Sequence, residues 1–192
     1  MKNLTFLTNR NKLILTLIVL VVAVTITTYY TSLNYLLTQK VPEQLYVGQL
    51  PENRTLKAGR VLDVPYVLQK PWYCSEASAS MVLQYFGYNV SQDQVHDAGY
   101  DRFENMLPIL QKYVKSRYAS LSLKNLKKEI DKGKPVIIRV LVGRNLHSVV
   151  VVGYDKENLY IHDPAIGPYL KTNPKILLEI WKPTGFKAIV FD

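Results

Sequence analysis

The stretch HSVVVVGYDKENLYIHD, residues 147–163, has the pattern of two β-strands joined by a short turn. Val149 to Val152 form a uniformly apolar run, which favours a strand that is covered on both faces. DKEN, which begins at Asp155, is a cluster of turn-forming residues, and LYIHD then resumes an apolar strand. The pattern predicts an antiparallel hairpin, because only antiparallel strands can be joined by so short a turn.

The hairpin geometry selects one histidine and one aspartate as neighbours. His147 opens the first strand and Asp163 closes the second, so both are expected at the same edge of the sheet. Successive side chains of a strand point to opposite faces, so His162 is expected to point away from Asp163. The third histidine, His96, falls in a short predicted helix and is expected at the surface. The predicted pair is therefore His147 with Asp163.

Helical patterns precede the hairpin, and strand patterns surround it. Helices are predicted over 74–87, after the capping-box pair Ser91 and Gln94, over 103–114 with an interruption or a start at Pro108, and over 122–133. The segment KPVIIRVLV before the hairpin and the segment FKAIVF at the C-terminus are predicted strands. Helices first and a largely antiparallel sheet second is the order of an α+β fold.

Cys74 is the single cysteine among 192 residues, so it cannot form an intramolecular disulfide. It begins the predicted 74–87 helix, where unpaired N–H groups and the helix dipole favour a thiolate. An imidazole held by a third group activates a thiolate further, and His147 with Asp163 are candidates for these two groups. Gln69, five residues earlier, is a candidate donor to an oxyanion. A packed core cysteine beside an ordinary loop Gln and a turn Asp remains the alternative at this point.

Three segments together carry a family resemblance: VPYVLQKPWYCSEASASMVLQYFGY, KGKPVIIRVLV and HSVVVVGYDKENLYIHDPAIG. In this order they resemble the bacteriocin-processing (double-glycine leader) peptidase-like family of papain-like cysteine peptidases. The resemblance covers roughly residues 61–192 and implies a papain-like fold, with helices packed on a mainly antiparallel sheet. It implies Cys74 as nucleophile and His147 as base. It also implies Asp163 as the residue that orients the imidazole, and Gln69 as oxyanion donor. The expected function is thiol peptidase activity on a peptide or protein substrate, with no metal or cofactor.

The sequence departs from that family in two respects. Ser75 follows the cysteine where the family often has glycine, and a side chain there is expected to narrow the acyl pocket. The best-known members are fused to export transporters, whereas no nucleotide-binding loop occurs in this sequence, so the transport role does not carry over. Two other functions stay open: a non-catalytic peptide-binding domain of the same fold, and a Cys-His acyltransferase or amidase of the transglutaminase or cell-wall amidase kind.

The segment LILTLIVLVVAVTITTYYTSLNYLL, residues 13–37, contains no charged side chain. A mainly apolar stretch of this length crosses a hydrocarbon core of about 30 Å as a helix. The charged residues before it are all basic, which predicts a cytoplasmic N-terminus over 1–12 and an outward-facing domain. The chain is thus predicted to be a single-pass cell-membrane protein. An uncleaved signal-anchor is followed by a linker over 38–60 and a peptidase-like domain over 61–192.

Composition narrows the functional classes further. Apolar residues make up 48% of the chain and charged residues 20%, which indicates a folded domain rather than disorder. The net charge is +9, but the densest basic run, over 124–134, falls on the solvated face of a predicted helix. No basic strip interleaved with aromatic residues occurs, so no nucleic-acid partner is expected. Two triplets at Asn53 and Asn89 are N-glycosylation acceptors if the domain faces outward. The sequence leaves the oligomeric state open.

Overall fold

A computed structural model of the protein describes residues 3–37, 45–50 and 59–192. The chain divides into two compact units, Met1–Gln39 and Lys40–Asp192. The first unit consists of one long helix. The second contains every described strand and the remaining described helices, and it therefore carries the fold that the resemblance implies.

Helix α1 spans Asn3–Leu37. Its segment Asn11–Thr31 has a mean hydropathy of 2.3 and is long and apolar enough to cross a membrane. Threonine hydroxyls within it donate to carbonyl oxygens of the preceding turn, as Thr25 does to Val22 at 2.8 Å, so they need no partner outside the helix. The predicted apolar helix over 13–37 is confirmed as a helix that begins earlier than expected.

Among its described residues, the second unit includes five short α-helices and two single turns of 3-10 helix within 74–184. The α-helices are α2 (Cys74–Tyr85), α3 (Gln92–Asp97), α4 (Leu107–Gln111), α5 (Leu123–Asp131) and α6 (Pro174–Trp181); the 3-10 turns are Phe103–Asn105 and Lys182–Thr184. Gly87, with φ of 90°, ends α2 in the left-handed conformation that glycine adopts easily. Ser91 and Gln94 exchange the two hydrogen bonds of the predicted capping box at the start of α3.

The helical segment over 103–114 is interrupted near Pro108, as the sequence predicts. Phe103–Asn105 forms a 3-10 turn, and α4 begins only at Leu107. Pro108 lacks an amide hydrogen and is tolerated in the first turn of a helix but not in its interior, so the α-helix can start no earlier. Helix α6 has no counterpart among the predicted elements.

Eight strands form one sheet in which every described pairing is antiparallel. The strands are β1 (Gly48–Gln49), β2 (Gly59–Val61), β3 (Ser116–Ser120), β4 (Val136–Val142), β5 (Asn145–Asp155), β6 (Leu159–Asp163), β7 (Gly167–Thr172) and β8 (Lys187–Phe191). Their order is β1-β7-β6-β5-β4-β8-β3, and β2 also pairs with β5. Helix α2 packs against β5 and α6 packs against β4. The predicted α+β class, with helices on a mainly antiparallel sheet, is confirmed.

The hairpin of β5 and β6 forms at the predicted place. The Asp155 carboxylate accepts hydrogen bonds from the backbone N–H groups of Glu157 and Asn158 at 2.8 and 2.7 Å, which closes the turn. Val149 to Val152 are all buried, as their uniformly apolar character predicts. Gly153 lies at a bulge, where β2 passes so close that a Cβ atom would fall 2.7 Å from the carbonyl oxygen of Arg60.

Part of the predicted linker over 38–60 belongs to the sheet instead. We call residues 45–50 the strap: Val47 donates its N–H to the carbonyl oxygen of Lys171 at 2.9 Å, and the strap then continues into β1. Residues 59–60 pair with β5. In a solvated linker these backbone groups would hydrogen-bond to water, whereas here they bond to strands of the sheet. Residues 45–50 and 59–60 therefore belong to the folded unit and not to a linker. The rest of the predicted linker, 38–44 and 51–58 with Asn53, lies outside the described residues.

Candidate active site

The hairpin brings His147 and Asp163 into direct contact. His147 Nε2 and Asp163 Oδ1 are 2.9 Å apart, and both side chains are buried. Val150 lies opposite His162 in the register of β5 and β6, so Asp163, one step further, points to the same face of the sheet as His147. The pairing follows from the two-residue period of the strands, as the sequence predicts.

His162 is held on the opposite face. Its Nε2 donates to the carbonyl oxygen of Val64 at 2.9 Å, and its Nδ1 accepts the N–H of Tyr169 at 3.0 Å. A carbonyl oxygen can only accept and a backbone N–H can only donate, so these two partners select one neutral tautomer of the ring. His162 therefore ties the loop before α2 to β6 and does not join His147.

Cys74 is the first residue of α2 and is half-buried. The preceding residue, Tyr73, supplies no side-chain cap, which leaves N–H groups of the first turn pointing toward the thiol end of the helix. Burial raises the pKa of the thiol. The hydrogen bond and charge of His147, the N–H of Ser148 and the charge of Arg139 outweigh it and lower that pKa to about 7. The thiol is therefore substantially ionised near neutral pH.

The imidazole responds in the opposite direction. Burial disfavours the charged ring of His147, but the carboxylate of Asp163 and the thiol of Cys74 outweigh burial and raise the pKa of the ring to about 10. Asp163 occupies Nε2, so Nδ1 is the ring nitrogen left for the thiol. Between these two pKa values the site holds a thiolate beside an imidazolium, which is the activated form of a cysteine nucleophile.

Asp163 is completely buried and is satisfied on both carboxylate oxygens. Oδ1 accepts from His147 and from the N–H of Ala165 at 2.9 Å, and Oδ2 accepts from the hydroxyl of Tyr46 at 2.7 Å. Burial alone would raise the pKa of this carboxyl, but the charge of His147 and these hydrogen bonds lower it below its usual value. Asp163 therefore remains an anion next to the imidazolium.

Gln69 lies on a loop that is held from two sides. Its N–H donates to the carbonyl oxygen of Pro164 at 2.9 Å, which fastens the loop to the corner after β6. The side chain of Gln92 accepts the N–H of Lys70 and donates to the carbonyl oxygen of Leu68, each at 2.9 Å. Gln69 Oε1 is buried and has no hydrogen-bond partner among the described residues. The loop around Gln69 is thus fixed, while its side-chain amide is not fully used by the fold.

A tight turn connects this loop to α2. Tyr73 donates its N–H to the carbonyl oxygen of Lys70 at 3.0 Å, with Pro71 and Trp72 between them. Trp72 has φ of 73°, which matches the third position of a type II turn, a place that normally takes glycine. A tryptophan there is strained, and it persists because the surrounding contacts determine the turn. The turn brings the chain back from Gln69 to the thiol within a few residues.

The hydroxyl of Ser75 points into the interior behind the thiol. Its Oγ lies 3.0 Å from Ser148 Oγ, and Arg139 Nη1 donates to Ser148 Oγ at 3.0 Å and to Ser75 Oγ at 3.4 Å. This side chain is engaged between α2 and the sheet and lies 4.0 Å from Cys74 Sγ, so a narrowing of the acyl pocket by Ser75 stays a prediction. We call Ser75, Ser148 and Arg139 the buried polar cluster.

The sequence reasoning did not identify Arg139. Its side chain is buried in β4 with 8% exposure, its Nε has no partner among the described residues, and its Nη2 lies 3.6 Å from Glu104 Oε2. The sequence does contain a sign of this residue, because an arginine interrupts the apolar run VIIRVLV. Burial of a charged side chain costs desolvation free energy unless the charge is paired or hydrogen-bonded. From its position beside Ser75 and Ser148, the positive charge of Arg139 contributes to the lowered pKa of the Cys74 thiol.

His96 is less of a surface residue than the sequence predicts. Its Nδ1 lies 2.9 Å from Oε1 of the buried Glu76, and its ring stacks on Tyr73 with centroids 4.3 Å apart. Burial raises the pKa of Glu76, and His96 partly offsets the rise. This second acid–imidazole pair supports the N-terminal turn of α2.

Within the described residues, no group of three or more His, Cys, Asp or Glu side chains is arranged to hold a metal ion. A cavity of about 280 Å³ among the described residues is lined by none of the three residues Cys74, His147 and Asp163. Its lining residues are Phe103, Glu104, Tyr118, Ala119, Lys187 and Ala188. Glu104 also contacts Arg139, so this cavity borders the buried polar cluster rather than the thiol itself.

Comparison with known proteins shows which sequences and folds the chain is similar to. Residues 61–189 match the sequence model of the Peptidase C39 like family. Among solved structures, the chain is similar to a protein described as a C39-like peptidase of Bacillus anthracis, with a TM-score of 0.60 and 21% identity. That match covers 69% of this chain and 96% of the other. No curated protein sequence matches the chain.

Two further structures show the same fold. A double-glycine motif protease from an AMS/PCAT transporter, solved in complex with the leader peptide, has a TM-score of 0.54 and 26% identity over 68% of this chain and 92% of the other. The peptidase domain of Streptococcus ComA, a bifunctional ABC transporter of a quorum-sensing pathway, has a TM-score of 0.54 and 19% identity. Its match covers 67% of this chain and 96% of the other.

Proposed function

The protein belongs to the peptidase C39-like family, and we propose that it is a membrane-anchored thiol peptidase that cleaves peptide or protein substrates through Cys74, His147 and Asp163. One observation carries the proposal. The pKa of the Cys74 thiol is lowered to about 7 while the pKa of His147, bonded to a buried carboxylate, is raised to about 10. A core cysteine of ordinary function has no need of such a neighbour.

In the proposed reaction, the thiolate of Cys74 attacks the carbonyl carbon of the scissile amide and forms a carbon–sulfur bond. The amide N–H groups of Gln69 and the N–H of Cys74 donate to the resulting oxyanion. His147 then transfers its proton to the leaving nitrogen, the carbon–nitrogen bond breaks, and a thioester remains. The neutral imidazole takes a proton from water, and the resulting hydroxide attacks the thioester carbon. The carbon–sulfur bond then breaks, which releases the carboxylic acid and restores the thiolate of Cys74 beside the imidazolium of His147. Asp163 holds the imidazole in one orientation throughout.

A peptide substrate is supported by one neighbour in particular. The double-glycine motif protease of similar fold was solved with a leader peptide bound.

We also propose that α1 anchors the protein in the cell membrane, with a cytoplasmic N-terminus and an extracytoplasmic domain. The apolar segment Asn11–Thr31 and the basic residues that precede it support this orientation. Exposed Asn89 would then be available for glycosylation in a cell that has the machinery. Protease treatment of intact cells tests the orientation: a domain protected from digestion until the membrane is opened would contradict it.

Alkylation of the thiol tests the enzymatic proposal without knowledge of the substrate. Cys74 is the single cysteine, so iodoacetamide incorporation into the full-length protein reports on this thiol alone. We expect rapid alkylation at neutral pH, with a midpoint near 7, and a shift of the midpoint toward that of a free thiol in His147→Gln. His96→Gln is the matched control, because it also removes an imidazole bonded to a carboxylate. A thiol no more reactive than a free one, with no response to His147→Gln, would sink the proposal and favour a peptide-binding domain.

The chemical class of the acyl group separates a peptidase from the other Cys-His enzymes. The acyl-enzyme can be trapped, and mass spectrometry of the proteolytic peptide that contains Cys74 then identifies the acyl group. A peptidyl adduct that water removes supports the peptidase, whereas transfer to an amine or a cell-wall fragment supports the acyltransferase or amidase.

A further inference from the structure

The strap lies outside the segment that matches the family, which begins at residue 61, and yet it contacts the candidate site. The hydroxyl of Tyr46 donates to Asp163 Oδ2 at 2.7 Å across a separation of 117 residues. The other oxygen of that carboxylate is already used by His147 and Ala165. Among the described residues, Tyr46 therefore supplies the hydrogen bond to the second oxygen.

This hydrogen bond matters because Asp163 is fully buried. A buried carboxylate oxygen without a hydrogen-bond donor is destabilised, because its lost hydration is not replaced. The carboxylate is then expected to rotate toward another donor. Turning the carboxylate moves Oδ1 away from His147. The pKa of Tyr46 is raised well above its usual value by burial and by the charge of Asp163, so the hydroxyl keeps its proton and remains a donor.

The strap is held to the outer edge of β7 by a small number of bonds. Leu50 donates its N–H to Tyr169 O, the Thr172 hydroxyl donates to Leu45 O, both at 2.9 Å, and Gln49 donates to a carbonyl oxygen of the same strand. A strand of two residues at an edge detaches at a lower free energy than the whole domain unfolds. The position of Tyr46 therefore depends on whether this short segment is docked.

We propose that Tyr46 is a positioning residue for Asp163 and, through it, for His147, so that the site is complete only while the strap is docked on β7. The proposal rests on the thiol-peptidase function and adds to it a dependence on a segment that the family match does not include. Undocking of the strap would therefore alter the site through one hydrogen bond, that of the Tyr46 hydroxyl to Asp163.

Tyr46→Phe in the full-length protein removes the donor and keeps the ring. We expect kcat to fall about tenfold or more, the size of a lost hydrogen bond to a charged group, with KM changed less than about twofold. We also expect the alkylation midpoint of Cys74 to move upward, because the imidazolium beside it is less well held. Tyr85→Phe is the control: it removes a half-buried hydroxyl that donates to Gly133 O at 2.8 Å, away from Asp163.

A second pair of variants tests docking separately from the hydroxyl. Val47→Pro removes the N–H that bonds to Lys171 O, whereas Val47→Ala keeps it, and the side chain itself is 64% exposed. We expect the proline variant to resemble Tyr46→Phe, the alanine variant to resemble wild type, and the Tyr46→Phe, Val47→Pro double variant to lose no more activity than either single variant.

The outcomes separate this proposal from the function on which it rests. An unreactive wild-type thiol counts against the peptidase itself. A reactive wild-type thiol with the same alkylation profile in Tyr46→Phe and Tyr85→Phe overturns the positioning role. A Val47→Pro variant with full activity, beside an impaired Tyr46→Phe, overturns the dependence on docking.

Discussion

Replacing Asp163 by asparagine isolates the charge that raises the pKa of the imidazole. Asparagine has the same shape: its oxygen can still accept from His147 and Ala165, and its NH₂ can donate to Tyr46, whose hydroxyl also accepts. The fold is therefore expected to survive. What is lost is a buried negative charge whose oxygen lies 2.9 Å from the ring nitrogen.

The size of the effect follows from electrostatics. Two unit charges about 4 Å apart attract by about 4 kcal/mol at an effective dielectric constant of about 20. One pH unit corresponds to about 1.4 kcal/mol, so this charge accounts for a rise of about three pH units. That is most of the rise from 6.5 to about 10 in the pKa of His147. In Asp163→Asn we expect the ring to titrate near its ordinary pKa.

The two pKa values are expected to move in opposite directions, and each has its own measurement. The imidazolium is lost at lower pH, so the descending limb of the pH–activity profile moves down by about three pH units. Without that neighbouring cation the thiolate is less favoured, so the ascending midpoint of Cys74 alkylation rises from about 7 toward the usual value of 9.0. Nuclear magnetic resonance of the ring protons measures the imidazole directly.

Glu76→Gln is the matched control, because it removes another buried carboxylate that is bonded to a histidine. It is expected to leave the titration of His147 in place. If His147 still titrates near 10 in Asp163→Asn, the Asp163 charge is not the source of the raised pKa, and the reasoning about this site is refuted.

Three further changes test other parts of the site and fold. Gln69→Ala is expected to lower kcat by about 10²- to 10³-fold and to leave the alkylation rate of the thiol unchanged. The reason is that an oxyanion donor acts only on the transition state of the peptidase reaction. An equal loss in both assays would contradict that role. Arg139→Met is expected to slow alkylation of Cys74 at neutral pH, because it removes a buried cation that lowers the pKa of the thiol. Arg139→Lys is expected to retain part of that lowering of the pKa. An unchanged alkylation rate in Arg139→Met would exclude this electrostatic role. Gly153→Ala is expected to destabilise the domain by roughly 1–3 kcal/mol in thermal unfolding, because its Cβ would fall 2.7 Å from Arg60 O; a stability equal to wild type would show that β2 can move aside.

The parts of the site that the sequence predicts are those governed by local periodicity. Strand alternation decides that Asp163, not His162, shares a face with His147, and the turn at Asp155 decides that the strand ends meet. Cys74 heads its helix because a turn precedes it and Gly87 ends the helix, which are also short-range signals. None of these inferences needs to know which distant segment packs on which.

Several elements of the fold were not predictable in the same way. Strand β3 alternates irregularly between buried and exposed residues, and its backbone hydrogen-bonds to β8 near the C-terminus. The two-residue strand β1 is likewise defined by its pairing with β7. Helix α6 becomes recognisable through the buried Trp181, whose indole N–H donates to Lys187 O. Strands β1 and β3 take their stability from tertiary contacts rather than from propensity, so no local pattern marks them. Helix α6 does carry a local signal, because Asn173 caps it and Pro174 occupies its first position.

By itself, the sequence determined the apolar N-terminal helix, the α+β order and the pairing of His147 with Asp163 at one edge of the sheet, because helix and strand periods are set by adjacent residues. The position of Cys74 beside His147 depends on how α2 packs against β5, which no local period determines. Only the tertiary structure decided that Tyr46 completes the Asp163 carboxylate and that Arg139 lies behind the thiol. Both depend on which backbone edge or helix face another segment happens to meet. A buried polar group must take its partner from whatever that packing brings within about 3 Å, however far away it lies in the chain.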